Sequence, residues 1–236
     1  MHELKPIAHI ETDFPTKFGV PRQSGLVKGL KGRIVFEPEY RDPEALRGLE
    51  AFSHIWLLWS FSEASLPLRE GRGGTFKATV RPPRLGGNKR IGVWATRSPF
   101  RPNGIGLSSV RIVSIALHTP DGPVIEVEGI DMMSGTPIFD IKPYLPFTDC
   151  HPDAVGSLAD CVDPKGEGGA GNSPGVKLSA ELEAAFDAEH LEALREVLAS
   201  GPQPHYHDDP DRVYVLPFAG REVRFRVTDG GVEAFL

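Results

Sequence analysis

Eight short apolar segments, none longer than ten residues, divide the first 150 residues of this 236-residue chain, with turn-forming residues between them. They are Ile7–Glu11, Gly32–Phe36, Ser53–Phe61, Thr75–Val80, Ile91–Ala95, Ser108–Leu117, Val124–Ile130 and Pro137–Ile141. Val, Ile, Phe and Trp enrich them, and "PRLGG", "TPDGP" and "MSGTP" punctuate them, the signature of strands joined by tight connections. Only Pro43–Phe52 has a helical character in this half. Many short strands with few helices predict a mainly β fold, an antiparallel barrel or a strongly curved sheet. The run His54–Phe61, "HIWLLWSF", is apolar almost throughout and predicts a central strand buried on both faces.

The composition changes near residue 150. Residues 151–176 are dense in Gly, Pro, Ser and Asp, which predicts a linker or long loop. Helical spacing then links Leu178, Leu182, Ala185, Phe186, Leu191, Leu194 and Leu198. Ser179 is its expected N-cap, Glu181, Glu183 and Asp187 favour its first turns, and "SGPQP" ends it. Two strands, "RVYVLPFA" and "REVRFRVT", and a short edge "VEAFL" follow. The expected domains are residues 1–150 as the β domain, 151–176 as the linker and 177–236 as a small α+β accessory domain. A unit of that size leans on its neighbour for stability.

Charge is divided along the same boundary. Residues 1–150 carry 19 Lys and Arg against 16 Asp and Glu, a net +3, and residues 151–236 carry 7 against 16, a net −9. Between Arg69 and Arg111 ten basic residues accompany one acid, Glu70. Such a patch suits phosphate contact, where most nucleic-acid affinity originates; it also suits a solvated basic face. No apolar run reaches membrane-spanning length, and the N-terminus lacks an apolar signal core, so no membrane association and no secretion are expected. Cys150 and Cys161 have no metal or redox spacing and are expected to be free cytosolic thiols. No P-loop, dinucleotide-binding glycine fingerprint, "HExxH" or Gly-x-Ser-x-Gly elbow occurs.

Chemistry concentrates in Thr96–Ser108, "TRSPFRPNGIGLS". Pro99 and Pro102 stiffen it, Gly104 and Gly106 admit close approach, and Arg97 and Arg101 present fork-shaped guanidinium groups suited to a carboxylate or phosphate. An ordinary surface loop has the same composition. Asp140 lies in the apolar run "GTPIFDIKPY", where an unpaired carboxylate is costly, so a partner is expected: an arginine, backbone donors or a ligand. His54 reads as a hydrogen-bonded core histidine. The cluster "HYHDDPD", His205–Asp211, has metal-ligand residue types but reads as a capped turn, and no metal site is expected.

"GLEAFSHIWLL", "VRPPRLGGNKRIGVWATRSPFRPNGIGLS" and "SGTPIFDIKPYLPF" resemble the TsaA/TrmO (VirR-like) family of bacterial S-adenosylmethionine-dependent tRNA methyltransferases. "FGVPRQSGLV" and "HYHDDPDRVYVLPFAGREVRFRVTDGG" extend the similarity to both ends. The resemblance implies a single-sheeted β-barrel enzyme, a cytoplasmic homodimer, that methylates N6 of threonylcarbamoyl-adenosine beside the anticodon of a threonine tRNA. It implies cofactor contacts at Pro21, Arg22, Gln23, Ser62, Glu63, Arg97, Leu107, Gly135, Thr136, Pro137 and Ile138. Asp140 is the expected base or orienting carboxylate, and Arg101 an expected catalytic or substrate contact. Three positions depart from the family pattern: Gly104 stands where a second proline is usual, Ser134 where an acid is usual, and Ser62-Glu63 where a His-Gln pair is common.

Overall fold

The computed structural model describes residues 4–61, 78–81, 90–155, 175–203, 209, 211–228 and 231–236. Six strands form a closed barrel in the order β1 (Ala8–Thr12), β2 (Lys31–Phe36), β7 (Gly122–Glu128), β6 (Ile105–Thr119), β3 (His54–Ser60) and β8 (Thr136–Pro143). Every pairing is antiparallel, including the β8–β1 pairing that closes the ring. The mainly β expectation, with a single-sheeted antiparallel barrel, holds. A separate two-stranded ribbon, β4 (Thr79–Val80) and β5 (Ile91–Gly92), lies in the long connection between β3 and β6.

Alternation along the strands fills the barrel. Ile10, Ile34, Ile55, Leu57, Ile125 and Ile138 are fully buried and point into it. The strand His54–Ser60 is central, between β6 and β8, but from His54 to Trp59 it buries one face only. A closed barrel has a single interior, so the alternate residues point outward. Trp56 and Leu58 are only half-buried there, and the Trp56 indole donates to Asp149 Oδ2 at 2.8 Å. His54 is likewise half-buried, with Nδ1 2.9 Å from Ser53 Oγ. Two segments expected as simple elements break up. Pro43–Phe52 forms two short 3₁₀ turns rather than a helix, and the segment expected as Ile91–Ala95 is a two-residue strand followed by a 3₁₀ turn.

The C-terminal part is a four-stranded sheet, β10 (Tyr214–Phe218), β11 (Arg221–Thr228), β12 (Gly231–Phe235) and β9 (Val176–Leu178), with β9 parallel to β12. Its helical segment is two helices. The first, Ala180–Ala185, is capped by Ser179, whose side chain accepts from the Leu182 amide; the second, Ala188–Ala199, is capped by Asp187, which accepts from the His190 amide. The break occurs because Phe186 takes an extended backbone, and its ring packs 5.9 Å from that of Phe218. A carboxylate at the next position then caps the new helix.

This unit packs on the β1–β2 connection, residues 13–30, as its size requires. Phe14 and Phe218 are fully buried with ring centroids 5.4 Å apart, and Phe18 stacks on Phe225 at 6.4 Å. The Ala219 amide donates to the Asp13 carbonyl at 3.0 Å, Lys31 pairs with Glu189 at 2.6 Å, and His190 lies 3.6 Å from Asp13. Burial raises the Asp13 carboxyl above its ordinary value, with His190 opposing the shift. Phe218→Ala is expected to cost about 3–5 kcal/mol, the usual loss for a buried phenylalanine, read as a lower denaturation midpoint in urea.

Candidate active site at one mouth of the barrel

The register brings the expected site residues to one end of the barrel. Trp59 lies opposite both Gly106 and Ile138, Ile10 opposite Thr136, and Gly32 opposite both Thr12 and Val127. The ends of β1, β3 and β7 and the starts of β2, β6 and β8 therefore share one mouth. Three connections emerge there: residues 13–30 with Pro21, Arg22 and Gln23; residues 61–104 with Arg97 and Arg101; and residues 129–135, which lead into Gly135, Thr136, Pro137 and Ile138. Leu107 stands on the outer face of β6 near the same end, 52 % exposed. Ser62 and Glu63 lie outside the described residues, as does most of the His205–Asp211 cluster.

A half-buried carboxylate, Asp131, lies at this mouth. Asp131 Oδ1 accepts from Ser108 Oγ at 2.6 Å, and Ser108 Oγ accepts from the Trp59 indole at 2.9 Å. The Ser24 amide is near enough to favour the charged form of Asp131. Ser24 Oγ in turn accepts from the Ser109 amide at 3.2 Å, and the Gly25 amide donates to the Gly129 carbonyl at 2.8 Å. Burial pushes the Asp131 carboxyl up to about 6 against the pull of these donors and of Arg97. The sequence analysis passed over this residue, whose signal was a lone acid in "GIDMMSG" beside an apolar strand end. Nothing in that spacing shows that it faces inward.

Arg97 and Gln23 meet across two connections, the guanidinium donating to Gln23 Oε1. Gln23 Nε2 donates to the Arg22 carbonyl at 2.5 Å. This pair, exposed to solvent, is the fork that a carboxylate-bearing ligand would meet. Arg101 has a different setting. It donates to the carbonyls of Thr96 (2.5 Å) and Val93 (3.2 Å), and its guanidinium lies 5.4 Å from the Trp94 ring centroid. It braces its own loop through these backbone carbonyls.

Asp140 also departs from expectation. It is not enclosed in apolar surroundings: its side chain is 44 % exposed and pairs with Lys142 at 2.9 Å. The reason is a bulge. Leu58 pairs with Asp140 but Trp59 with Ile138, so Phe139 is an extra residue, and Ile138 and Ile141 both turn toward the core. Asp140 is left on the outer face, in one row with Leu58 and Leu107. On that face Ser60 Oγ is fully buried and has no hydrogen-bond partner. An orphaned buried hydroxyl is uncommon.

The departures at Gly104 and Ser134 have structural roles. Gly104 has φ +56, which a proline ring forbids, and its carbonyl accepts from the Phe61 amide at 3.0 Å. Ser134 Oγ accepts from the Thr12 amide at 3.3 Å, joining the turn before β8 to the end of β1. Among the described residues no group of three or more His, Cys, Asp or Glu could hold a metal ion, and no helix is long and apolar enough to cross a membrane. Of the basic segment, Arg81, Arg90, Arg97, Arg101 and Arg111 are described, and Arg111 pairs with Glu128.

The profile of the tRNA-methyltransferase O N-terminal domain matches residues 9–150. The chain is 41% identical over 245 residues to the tRNA (adenine(37)-N6)-methyltransferase of Escherichia coli (strain K12), covering 99% of this chain and 96% of that protein. It is 37% identical over 229 residues to a Pseudomonas aeruginosa protein named as a putative S-adenosylmethionine-dependent methyltransferase, covering 97% and 90%. Among solved structures, a crystal structure of TrmO superposes with a TM-score of 0.74 at 29% identity, covering 100% of this chain and 98% of that one.

Gly106 provides a test of the mouth's packing. A Cβ there would lie 2.3 Å from the Trp59 ring, so the indole must move and its bond to Ser108 must break. Gly106→Ala is expected to lose about 1–3 kcal/mol of stability, as overpacked cores do, with a shift in tryptophan emission during thermal denaturation.

Proposed function

The chain belongs to the tRNA-methyltransferase O family, and we infer from that membership that it is an S-adenosylmethionine-dependent methyltransferase acting on N6 of adenine 37 of tRNA. The observation that carries this reading is identity of 41% spread over almost the full length of both chains. The acceptor we propose is threonylcarbamoyl-adenosine beside the anticodon of a threonine tRNA.

The residues at the mouth fit the cofactor. The Arg97–Gln23 fork suits the carboxylate of its methionine part. The Gly135 turn is exposed with nothing within 4 Å of the place of a Cβ, so a ligand can approach the backbone. When bound, S-adenosylmethionine supplies a methyl group on a positively charged sulfur that departs as a neutral thioether.

The protein's contribution is then mainly alignment. Holding an acceptor nitrogen in line with the methyl accounts for a large part of such a rate. The N6–H of a ureido linkage is more acidic than that of plain adenine, so a modest base suffices. Asp140 is the proposed acceptor of that proton. Its support is its place in the outer row with Leu107, not burial, and Lys142 keeps its oxygen oriented. The basic segment from Arg69 to Arg111 supplies phosphate contacts around a single-stranded anticodon loop, the kind of RNA that proteins read by splayed bases.

A homodimer is proposed as the working form. Leu107, Val113 and Leu117 stand exposed on β6, with Trp94 and Phe100 exposed on the preceding connection, a concentration of apolar surface that favours an interface. A tRNA substrate places the enzyme in the cytoplasm.

The direct test incubates the protein and labelled S-adenosylmethionine with threonine tRNA bearing or lacking the threonylcarbamoyl group. Label is expected in the modified tRNA alone; label in neither sinks the assignment, and label in both removes the narrower acceptor. Asp140→Asn is expected to lower turnover about 100-fold with cofactor affinity unchanged, and a normal rate removes Asp140 from the mechanism. Arg97→Ala is expected to weaken cofactor binding about tenfold, measured by calorimetry.

A further inference from the structure

We propose that Trp94 is a stacking platform for a base of the tRNA anticodon loop, holding the loop at the mouth while a neighbouring nucleotide is methylated. The proposal rests on the function inferred above. Tryptophan is highly buried on average in folded proteins, yet Trp94 is 65 % exposed. The backbone beneath it is fixed. Trp94 is the middle residue of the 3₁₀ turn Val93–Ala95, and the Val93 side chain is fully buried. The Val93 amide donates to the Ala78 carbonyl at 2.9 Å. The Val93 carbonyl accepts from the Thr96 amide at 3.2 Å and the Thr96 hydroxyl at 2.9 Å, besides the Arg101 guanidinium. An aromatic ring carried on so rigid a turn loses little freedom when a ligand stacks on it.

Arg101 decides what kind of partner suits the ring. Its guanidinium, held by two backbone carbonyls, stands over the indole and fixes its orientation. Arg97 lies on the same loop, and Arg81 and Arg90 precede it. A nucleotide uses both features, its base the indole and its phosphate the cations. A second copy of this chain suits the place less well. A twofold contact centred here would set one arginine loop against another, and like charges brought together are costly. The contact between copies proposed above then falls to Leu107, Val113 and Leu117 on β6.

The position of the ring fits the chemistry. Trp94 precedes Arg97 by three residues, and the Arg97 guanidinium meets Gln23 at the mouth. A base offered for chemistry leaves its stack, and its former neighbours lose an aromatic face. An indole at the mouth replaces that face. Every base has a face to stack, so Trp94 supplies affinity without selecting sequence.

The test follows tryptophan emission during titration with the anticodon stem–loop of threonine tRNA carrying threonylcarbamoyl-adenosine. The chain has three tryptophans, of which Trp59 is buried and Trp56 half-buried. Wild-type emission is expected to be quenched on binding. Trp94→Ala is expected to weaken binding about tenfold, the scale of one stacked base, with S-adenosylmethionine affinity and melting temperature unchanged. Trp94→Phe is expected to recover most of that affinity without the quenching. Binding that leaves wild-type emission unchanged overturns the platform, as does quenching that persists in Trp94→Phe or a Trp94→Ala variant that binds as the wild type does. A Trp94→Ala variant that separates into single chains in sedimentation while keeping its RNA affinity also overturns it, and marks a contact between copies instead. A wild type that binds and is quenched yet transfers no methyl sinks the inferred function alone, and one that binds no stem–loop sinks both.

Discussion

Strand β8 hydrogen-bonds along both edges, to β3 on one side and to β1 on the other, and this double pairing closes the barrel. Without it the sheet would keep two open edges and the apolar faces of six strands would lack a common interior. Closure also brings the β1–β2, β3–β6 and β7–β8 connections to one mouth, so residues more than a hundred positions apart, such as Gln23 and Asp131, share one site. The bulge at Phe139 is part of the same constraint. It lets Ile138 and Ile141 both serve the core and sends Asp140 outward.

The C-terminal unit is tied to that arrangement from the other side. Its Phe218 and Phe225 rings seat against Phe14 and Phe18, at the start of the connection that carries Pro21, Arg22 and Gln23. That connection is thus held between two packed bodies: the barrel wall through Ser24 and Gly25, and the accessory sheet through its aromatic residues. Its sequence is rich in Gly and Pro and would otherwise carry much conformational freedom. Rigidity at this segment suits the cofactor contact proposed for it, because alignment is most of what the protein supplies.

The failures of the sequence analysis share a physical origin. The reading of Asp140 assumed that an apolar run means burial, but a barrel strand has an inside and an outside, and one bulge decides which residues fall where. The reading of one continuous helix from Leu178 to Leu198 followed the spacing of leucines. It missed that Phe186 gains more from packing on Phe218 than from continuing the helix, with Asp187 at hand to cap the restart. The bonds of Arg101 to backbone carbonyls of its own loop are likewise something that no side-chain pattern advertises.

By itself the sequence determined the class of fold and the family, and it pointed to a division near residue 150 and to the segments proposed to build the site. These follow from local signals: strand-length apolar runs, turn residues, and long ordered motifs around the arginine loop. Only the tertiary structure decided which carboxylate meets Ser108 at the mouth, which arginine braces its own loop and where the strands turn their faces. Those properties depend on register across the closed ring and on contacts between residues far apart in the chain, and solvent exposure at a single position has no local code.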